Sequence, residues 1–164
     1  MKKPGSKGEH NLQKKFETEK RALAFYNLQL LNNLNAEMQQ FVSEQEMVFI
    51  STSDAKGECD ASFRAGDTGF VLVLDKKTLL FPEYRGNGVL ASMGNISENP
   101  HIGLFFIDFY QNSIGLHVNG KAGILSNEEL TADLDLSRKI KMSSKKLGSR
   151  KPISWIKVDV EEAY

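Results

Sequence analysis

The chain of 164 residues contains a single cysteine, Cys59, which excludes an internal disulfide and any cysteine-rich zinc site. It has no net charge, with 21 basic residues against 21 acidic ones, so no whole-surface electrostatic grip on nucleic acid is expected. No apolar run approaches the ~20 residues of a membrane-spanning helix. Nor does the start look like a secretion signal. Its basic head, Met1-Lys2-Lys3, is followed by mostly charged and polar residues through Lys20, with no apolar stretch. A reducing cytoplasm is the expected setting. A serine hydrolase finds no support, because no G-x-S-x-G turn is present. His101 and His117 lie apart in strand-like runs, with neither a His-x-x-x-His pair nor clustered carboxylates. They read as core or ladder positions, and no metal site is expected.

What is present is a composition of 40% hydrophobic and 26% charged residues, ordinary for a globular chain and long enough for one domain. Residues 1–10, with two glycines, a proline and three lysines, read as a flexible tail. Residues 11–45 then read as helical. Leu12, Phe16, Leu23, Tyr26, Leu30, Leu34, Met38 and Phe41 recur at helical intervals, an apolar stripe suited to covering a hydrophobic surface. Asn32-Asn33 interrupts the stripe, and Asn35 is placed to cap a helix beginning at Ala36.

The pattern changes at Met47. Strands are expected at 47–53, 59–64, 70–74, 78–81, 101–109, 114–125 and 155–160, joined by turns such as Asp54-Ala55-Lys56-Gly57 and Asp75-Lys76-Lys77. Short helices are expected at 88–98, stopped by Asn99-Pro100, and at 127–136, capped by Ser126 or Asn127. The result is a mainly-β α+β chain, in which an antiparallel sheet or barrel over 46–164 follows the helices. Along 59–64, alternation sets Cys59, Ala61 and Phe63 on one face. That face is expected to be buried, making Cys59 a small core residue rather than a nucleophile.

The most informative stretch is Leu80-Phe81-Pro82-Glu83-Tyr84-Arg85-Gly86-Asn87-Gly88, where a strand runs through a glycine-containing turn into a helix. Free N–H groups at a helix start favour an anion, the glycines allow close backbone approach, and Arg85 supplies a forked donor. An ordinary turn with a surface arginine is the other reading. Gly86 to Ala91 also satisfies G-x-G-x-x-A, with Asp108 beyond it, but the flanking strands come as hairpins rather than βαβ units. A dinucleotide-binding fold is therefore set aside. Arg64, at a strand end, reads either as a second cation for the same anion or as a solvent-facing side chain. The run 138–151 holds seven basic residues and no acidic one. Lacking interleaved aromatics, it reads as a solvated loop in preference to a nucleic-acid site.

Several blocks taken together carry a family likeness. Phe49-Ile-Ser-Thr-Ser53, Cys59-Asp-Ala-Ser-Phe-Arg64, Phe81-Pro-Glu-Tyr-Arg-Gly-Asn-Gly88, Ser92-Met-Gly-Asn-Ile-Ser-Glu-Asn-Pro100 and Leu116-His-Val-Asn-Gly-Lys-Ala122 resemble the pyridoxamine 5′-phosphate oxidase-related flavoproteins, in the branch with an N-terminal helical extension. The likeness spans about residues 8 to 125 and returns at 155–164. It implies an antiparallel Greek-key split β-barrel, a homodimer with FMN in a cleft at the interface, and an oxidoreductase acting on a small molecule. By position it implies phosphate contacts from Arg64, from Arg85, Gly86, Asn87 and Gly88, and from Ser92, with Phe81, Pro82, Glu83 and Tyr84 passing the flavin ring. A non-catalytic flavin carrier or sensor, or a split barrel holding haem or a deazaflavin, is the alternative.

The chain also departs from the family. Asn87-Gly88 stands where the oxidase has an arginine-lysine pair, Gly115 stands where it has a flavin-touching glutamine, and its C-terminal arginine and histidine for the substrate phosphate have no counterpart. Relatives in the same branch continue beyond the Glu161–Tyr164 end with a tail containing histidine and cysteine, so a truncated gene or a true variant is expected. Oxidation of vitamin B6 itself is not expected.

Overall fold

The computed structural model describes residues 3–110, 113–143 and 150–164. The chain divides into two compact units. The smaller comprises the described residues up to Leu31 together with Tyr164, and the larger runs from Asn32 to Ala163.

In the smaller unit, α1 (Lys7–Lys15) begins inside the segment expected to be a tail. The cause is a reciprocal capping box: the Ser6 hydroxyl accepts from the Glu9 N–H, and the Glu9 carboxylate accepts from the Ser6 N–H. Glu17, in the left-handed region at φ 56°, separates α1 from α2 (Glu19–Leu28). The Gln13 amide donates to the Tyr26 hydroxyl at 2.7 Å, and Phe25 meets Tyr164 edge-on at 5.2 Å between ring centres. No residue of either helix is buried, and Leu12, Phe16 and Leu23 are all at least 50% exposed. The first half of the predicted apolar stripe is therefore not a buried face.

The larger unit opens with α3 (Ala36–Glu44), whose N-cap Asn35 accepts from the Met38 N–H at 2.8 Å, as the sequence suggests. Seven strands follow: β1 (Met47–Ser53), β2 (Cys59–Ala65), β3 (Leu72–Asp75), β4 (Thr78–Glu83), β5 (His101–Asp108), β6 (Ile114–Leu125) and β7 (Ser154–Ala163). All pair antiparallel in the order β2-β1-β5-β6-β7-β4-β3. Helix α4 (Ala91–Glu98) carries the chain from β4 to β5, while α5 (Asn127–Ala132) and α6 (Leu134–Ser143) lie between β6 and β7. This is the α+β split barrel expected. Alternating residues of five strands fill its interior, among them Val48 and Ile50, Leu79 and Phe81, Leu104 and Phe106, Val118, Ile156 and Val158. Burying each such side chain favours the fold by about 1.5–3 kcal/mol. A second, smaller cluster joins Leu72, Leu80 and Trp155 to Leu130 of α5 and Ile140 of α6, on the other side of β3, β4 and β7.

One expectation is reversed. On β2 the apolar residues Cys59, Ala61 and Phe63 are exposed, whereas Asp60, Ser62 and Arg64 are half-buried. Alternation identifies which residues share a face but not which face is inside. Here the interior side of β2 meets the polar residues of α4 and the end of β4. The 127–136 helix is also revised. It starts where expected, with a Ser126–Glu129 capping box, but breaks at Asp133, and α6 takes up Arg138 and Lys139 of the basic run read as a loop. Of that run, 144–149 lie outside the described residues.

Candidate functional site

The end of β2, the end of β4, the following turn and the first turn of α4 surround a cavity of about 480 Å³. Two other cavities have similar volumes, so residues rather than size distinguish this one. Three arginines, Arg64, Arg85 and Arg150, border it, with two carboxylates, Asp60 and Glu83.

Both carboxylates are engaged. Glu83, the last residue of β4 and 7% exposed, accepts from Arg64 Nε at 3.0 Å. Arg64 Nη1 donates to the Ser62 hydroxyl at 2.6 Å and to the Phe63 carbonyl at 3.1 Å. Arg64 is turned inward beside the strand–turn–helix segment, with several of its donors already used. Asp60 accepts from the Ser92 hydroxyl at 3.1 Å, which ties β2 to α4. Helix α4 is fixed further by Asn95 on Thr52 and by Asn99 on Ser53.

The turn itself is built from unusual backbone. Gly86 and Gly88 have φ of 51° and 82°, values open to glycine without strain. Leu90 also sits in the left-handed region, at φ 58°, at a cost of about 1–2 kcal/mol. Leu90 is the N-cap of α4, so the helix starts at Ala91 rather than in the glycine turn. It offers no capping side chain, and Ala91 and Ser92 line the cavity. Such a first turn presents N–H groups and the positive end of the helix dipole to an anion. Arg85 is exposed; its carbonyl accepts from the Gly88 N–H at 3.0 Å, while its guanidinium makes no hydrogen bond or ion pair with another described residue. Tyr84 is half-buried. Burial raises its phenol above the usual range, Arg150 opposes that rise and Asp67 adds to it, so the hydroxyl stays protonated at neutral pH.

Of the residues expected at the site, Arg64, Glu83, Tyr84, Arg85, Gly86, Asn87 and Ser92 line this one cavity. Gly88 shapes the turn between lining residues without itself lining the cavity. Phe81 is fully buried in the main core and Pro82 is buried where β4 pairs with Trp155 of β7, and neither residue lines the cavity. Sequence reasoning missed Asp60, Ser62 and Arg150. The polar half of the β2 alternation was the available signal for the first two; nothing local marks Arg150 out from the basic run. Gly115 has its own explanation, because a Cβ there would come within 2.9 Å of the Phe105 ring, which occupies that space. The two strand histidines are exposed ladder residues, with His117 against Phe105 at 4.4 Å between ring centres.

Comparison with known proteins agrees with this architecture. The pyridoxamine 5′-phosphate oxidase family profile matches residues 34–164, and the chain belongs to that family. No curated protein matches. Among solved structures, HupZ of Group A Streptococcus is similar at 21% identity and a TM-score of 0.58, over 80% of this chain and 92% of that one. A pyridoxamine 5′-phosphate oxidase-like protein of Lactobacillus delbrueckii is similar at 19% identity and a TM-score of 0.57, over 82% and 95%. One from Listeria innocua follows at 15% and 0.51, over 78% and 94%. At these identities the likeness is one of fold.

Proposed function

We propose that the protein is a cytoplasmic FMN-binding flavoprotein that works as a homodimer in redox chemistry on a small organic molecule. The observation that supports this most directly is the arginine-bordered cavity. A phosphate monoester needs cations and N–H donors in one place, and Arg85, the Gly86 and Asn87 backbone and the uncapped first turn of α4 offer both. Arg64 and Ser92 complete the polar wall, and Tyr84 offers a ring surface beside it. When bound, FMN supplies hydride transfer through its ring system. The chain's own part is to hold the phosphate, orient the ring and limit water.

Support for the homodimer comes from the outer face of β2, β1, β5 and β6. Phe63 pairs across from Phe49, and Phe49 from Phe105, with Met47 and Ile114 near the same rim. Phe63 and Phe49 remain 51% and 42% exposed, a contiguous apolar strip of the kind that marks an interface.

An absorption spectrum of protein purified from cells, followed by release of any chromophore and titration with FMN, tests this reading. Two broad flavin bands and released FMN are expected. Replacing Arg85 by Ala weakens FMN binding by about 1.5–3 kcal/mol, the value of a charge-assisted hydrogen bond. A sharp haem band would reassign the ligand. A colourless protein that also ignores added FMN would sink the proposal.

A further inference from the structure

Arg150 belongs to no motif, yet it stands at the cavity. Its position is set by the way β7 enters the sheet. The Ile153 N–H donates to the Glu83 carbonyl at 2.8 Å, Ser154 pairs opposite Glu83, and the Pro152 carbonyl accepts from the Asn127 amide at 3.1 Å. Pinned on two sides, this short lead-in sets residue 150 alongside Tyr84, the residue after Glu83. The guanidinium lies over the Tyr84 ring, 5.8 Å from its centre.

A cation–π contact has a useful consequence. The ring attracts the guanidinium charge without accepting its N–H groups as a carboxylate would, so those donors can still grip an anion. The three arginines differ in this respect. Arg64 has given Nε to Glu83 and Nη1 to Ser62 and Phe63. Arg85 and Arg150 are exposed and have no carboxylate partner among the described residues. Three cations against two carboxylates leave a formal surplus of one positive charge at the cavity, and it resides on this pair. A phosphate monoester, with a charge of about −1.5 to −2 at neutral pH, is its natural complement.

We infer that Arg150 is a phosphate-binding residue of this site, and that it makes the cavity prefer a phosphorylated ligand to the same ligand without phosphate. The inference deepens the FMN reading and rests on it for the ligand's identity, but not for the anion.

The test compares wild type, Arg150→Ala and Arg150→Lys of the full chain by titration with FMN, riboflavin and inorganic pyrophosphate. Lys151→Ala, next door and outside the cavity, controls for net charge and local disturbance. Arg150→Ala is expected to weaken FMN about 10- to 100-fold. Riboflavin affinity stays within about twofold, since the lost contact is to phosphate alone. Arg150→Lys, which keeps the charge but not the planar fork, falls between, and Lys151→Ala matches wild type. Equal losses for FMN and riboflavin would overturn the inference, because Arg150 would then act only by holding Tyr84. So would unchanged FMN binding, or a Lys151→Ala loss as large as that of Arg150→Ala. If wild type binds no FMN, the flavin reading fails by itself. The inference is then judged on pyrophosphate: binding by wild type that weakens about tenfold or more in Arg150→Ala upholds it, and no binding or no change refutes it.

Discussion

At the β3–β4–β7 end of the sheet, Leu72, Leu80 and Trp155 carry Leu130 of α5 and Ile140 of α6 on their outer side. At the β2–β1–β5 end, Phe63 and Phe49 occupy the equivalent outer side and stay about half exposed. The strands at both ends are rich in apolar residues, but among the described residues of the larger unit only one end carries helices on its outer side. The reason lies in the connections. The chain between β6 and β7 spends its length on two helices that return over the sheet, while the β1–β2 hairpin has only the short turn Asp54–Glu58 and nothing to fold back. A sheet face that is apolar and lacks a local cover is completed by another chain or remains an exposed patch.

The largest expected effect comes from removing the anchor of the covered end. Trp155 is 4% exposed, and its indole N–H donates to Asn127 at 3.0 Å, so it fastens the start of α5 to β7. Trp155→Ala leaves a cavity and an unpaired partner and is expected to cost about 3–5 kcal/mol, read from urea unfolding. Trp155→Phe keeps most of the volume and loses the hydrogen bond, so its cost is closer to about 1 kcal/mol. Equal costs for the two would mean that packing beneath α5 contributes little.

The open end should answer differently. Phe63→Glu places a charge on a face that a single chain leaves in water, so the stability of the isolated fold changes within about 0.5 kcal/mol. The proposed homodimer, however, would bury that charge without a partner. Sedimentation should then show a monomer where wild type shows a dimer, and Phe49→Glu should repeat the result. A wild-type monomer, or a variant that stays dimeric, would remove this face from the interface and break the contrast between the two ends.

How legible this was depends on the kind of information. Alternation and turn chemistry are local, so β1, β5 and β6 fall where expected to within a residue, while β3 starts two residues later and β7 runs three residues further than expected. The helix cap at Asn35 was readable for the same reason. The Ser6–Glu9 box was equally local, but was overlooked because the surrounding lysines and glycines suggested a tail. What the local pattern does not encode is direction across the sheet. Cys59, Ala61 and Phe63 looked like core because apolar residues are usually inside, and the opposite holds because the inner side of β2 faces Glu83 and Ser92. At the candidate site, Arg85 was expected from its strand–turn–helix segment, Arg64 from its strand end and Ser92 from the family resemblance, and all three line one cavity. Arg150 was not, since its position depends on a pairing of β7 with β4 across some 70 residues of sequence.

The smallest effect sharpens the comparison through pH. The cover of the closed end begins at a capping box in which the Ser126 N–H donates to the Glu129 carboxylate at 2.7 Å and the Ser126 hydroxyl accepts from the Glu129 N–H at 3.1 Å. The backbone bond, aided by the hydroxyl, holds Glu129 below its ordinary value of 4.5. A carboxyl lowered by folding adds stability that is fully present above the unfolded value and is lost as pH falls through the folded one. Glu129→Gln keeps an acceptor for the box but does not titrate. Wild type should therefore exceed Glu129→Gln slightly in stability at about pH 7, and the two should converge as pH falls below the ordinary value of 4.5 and through the lowered folded one. Trp155, the only tryptophan in the chain, lies under the start of α5 and reports the unfolding of this end by its fluorescence. Because Glu129 is open to solvent, the difference will be small, and its disappearance in acid is the informative result. A gap that persists at low pH would mean that glutamine perturbs α5 by its shape, and that charge plays no part in holding the cover.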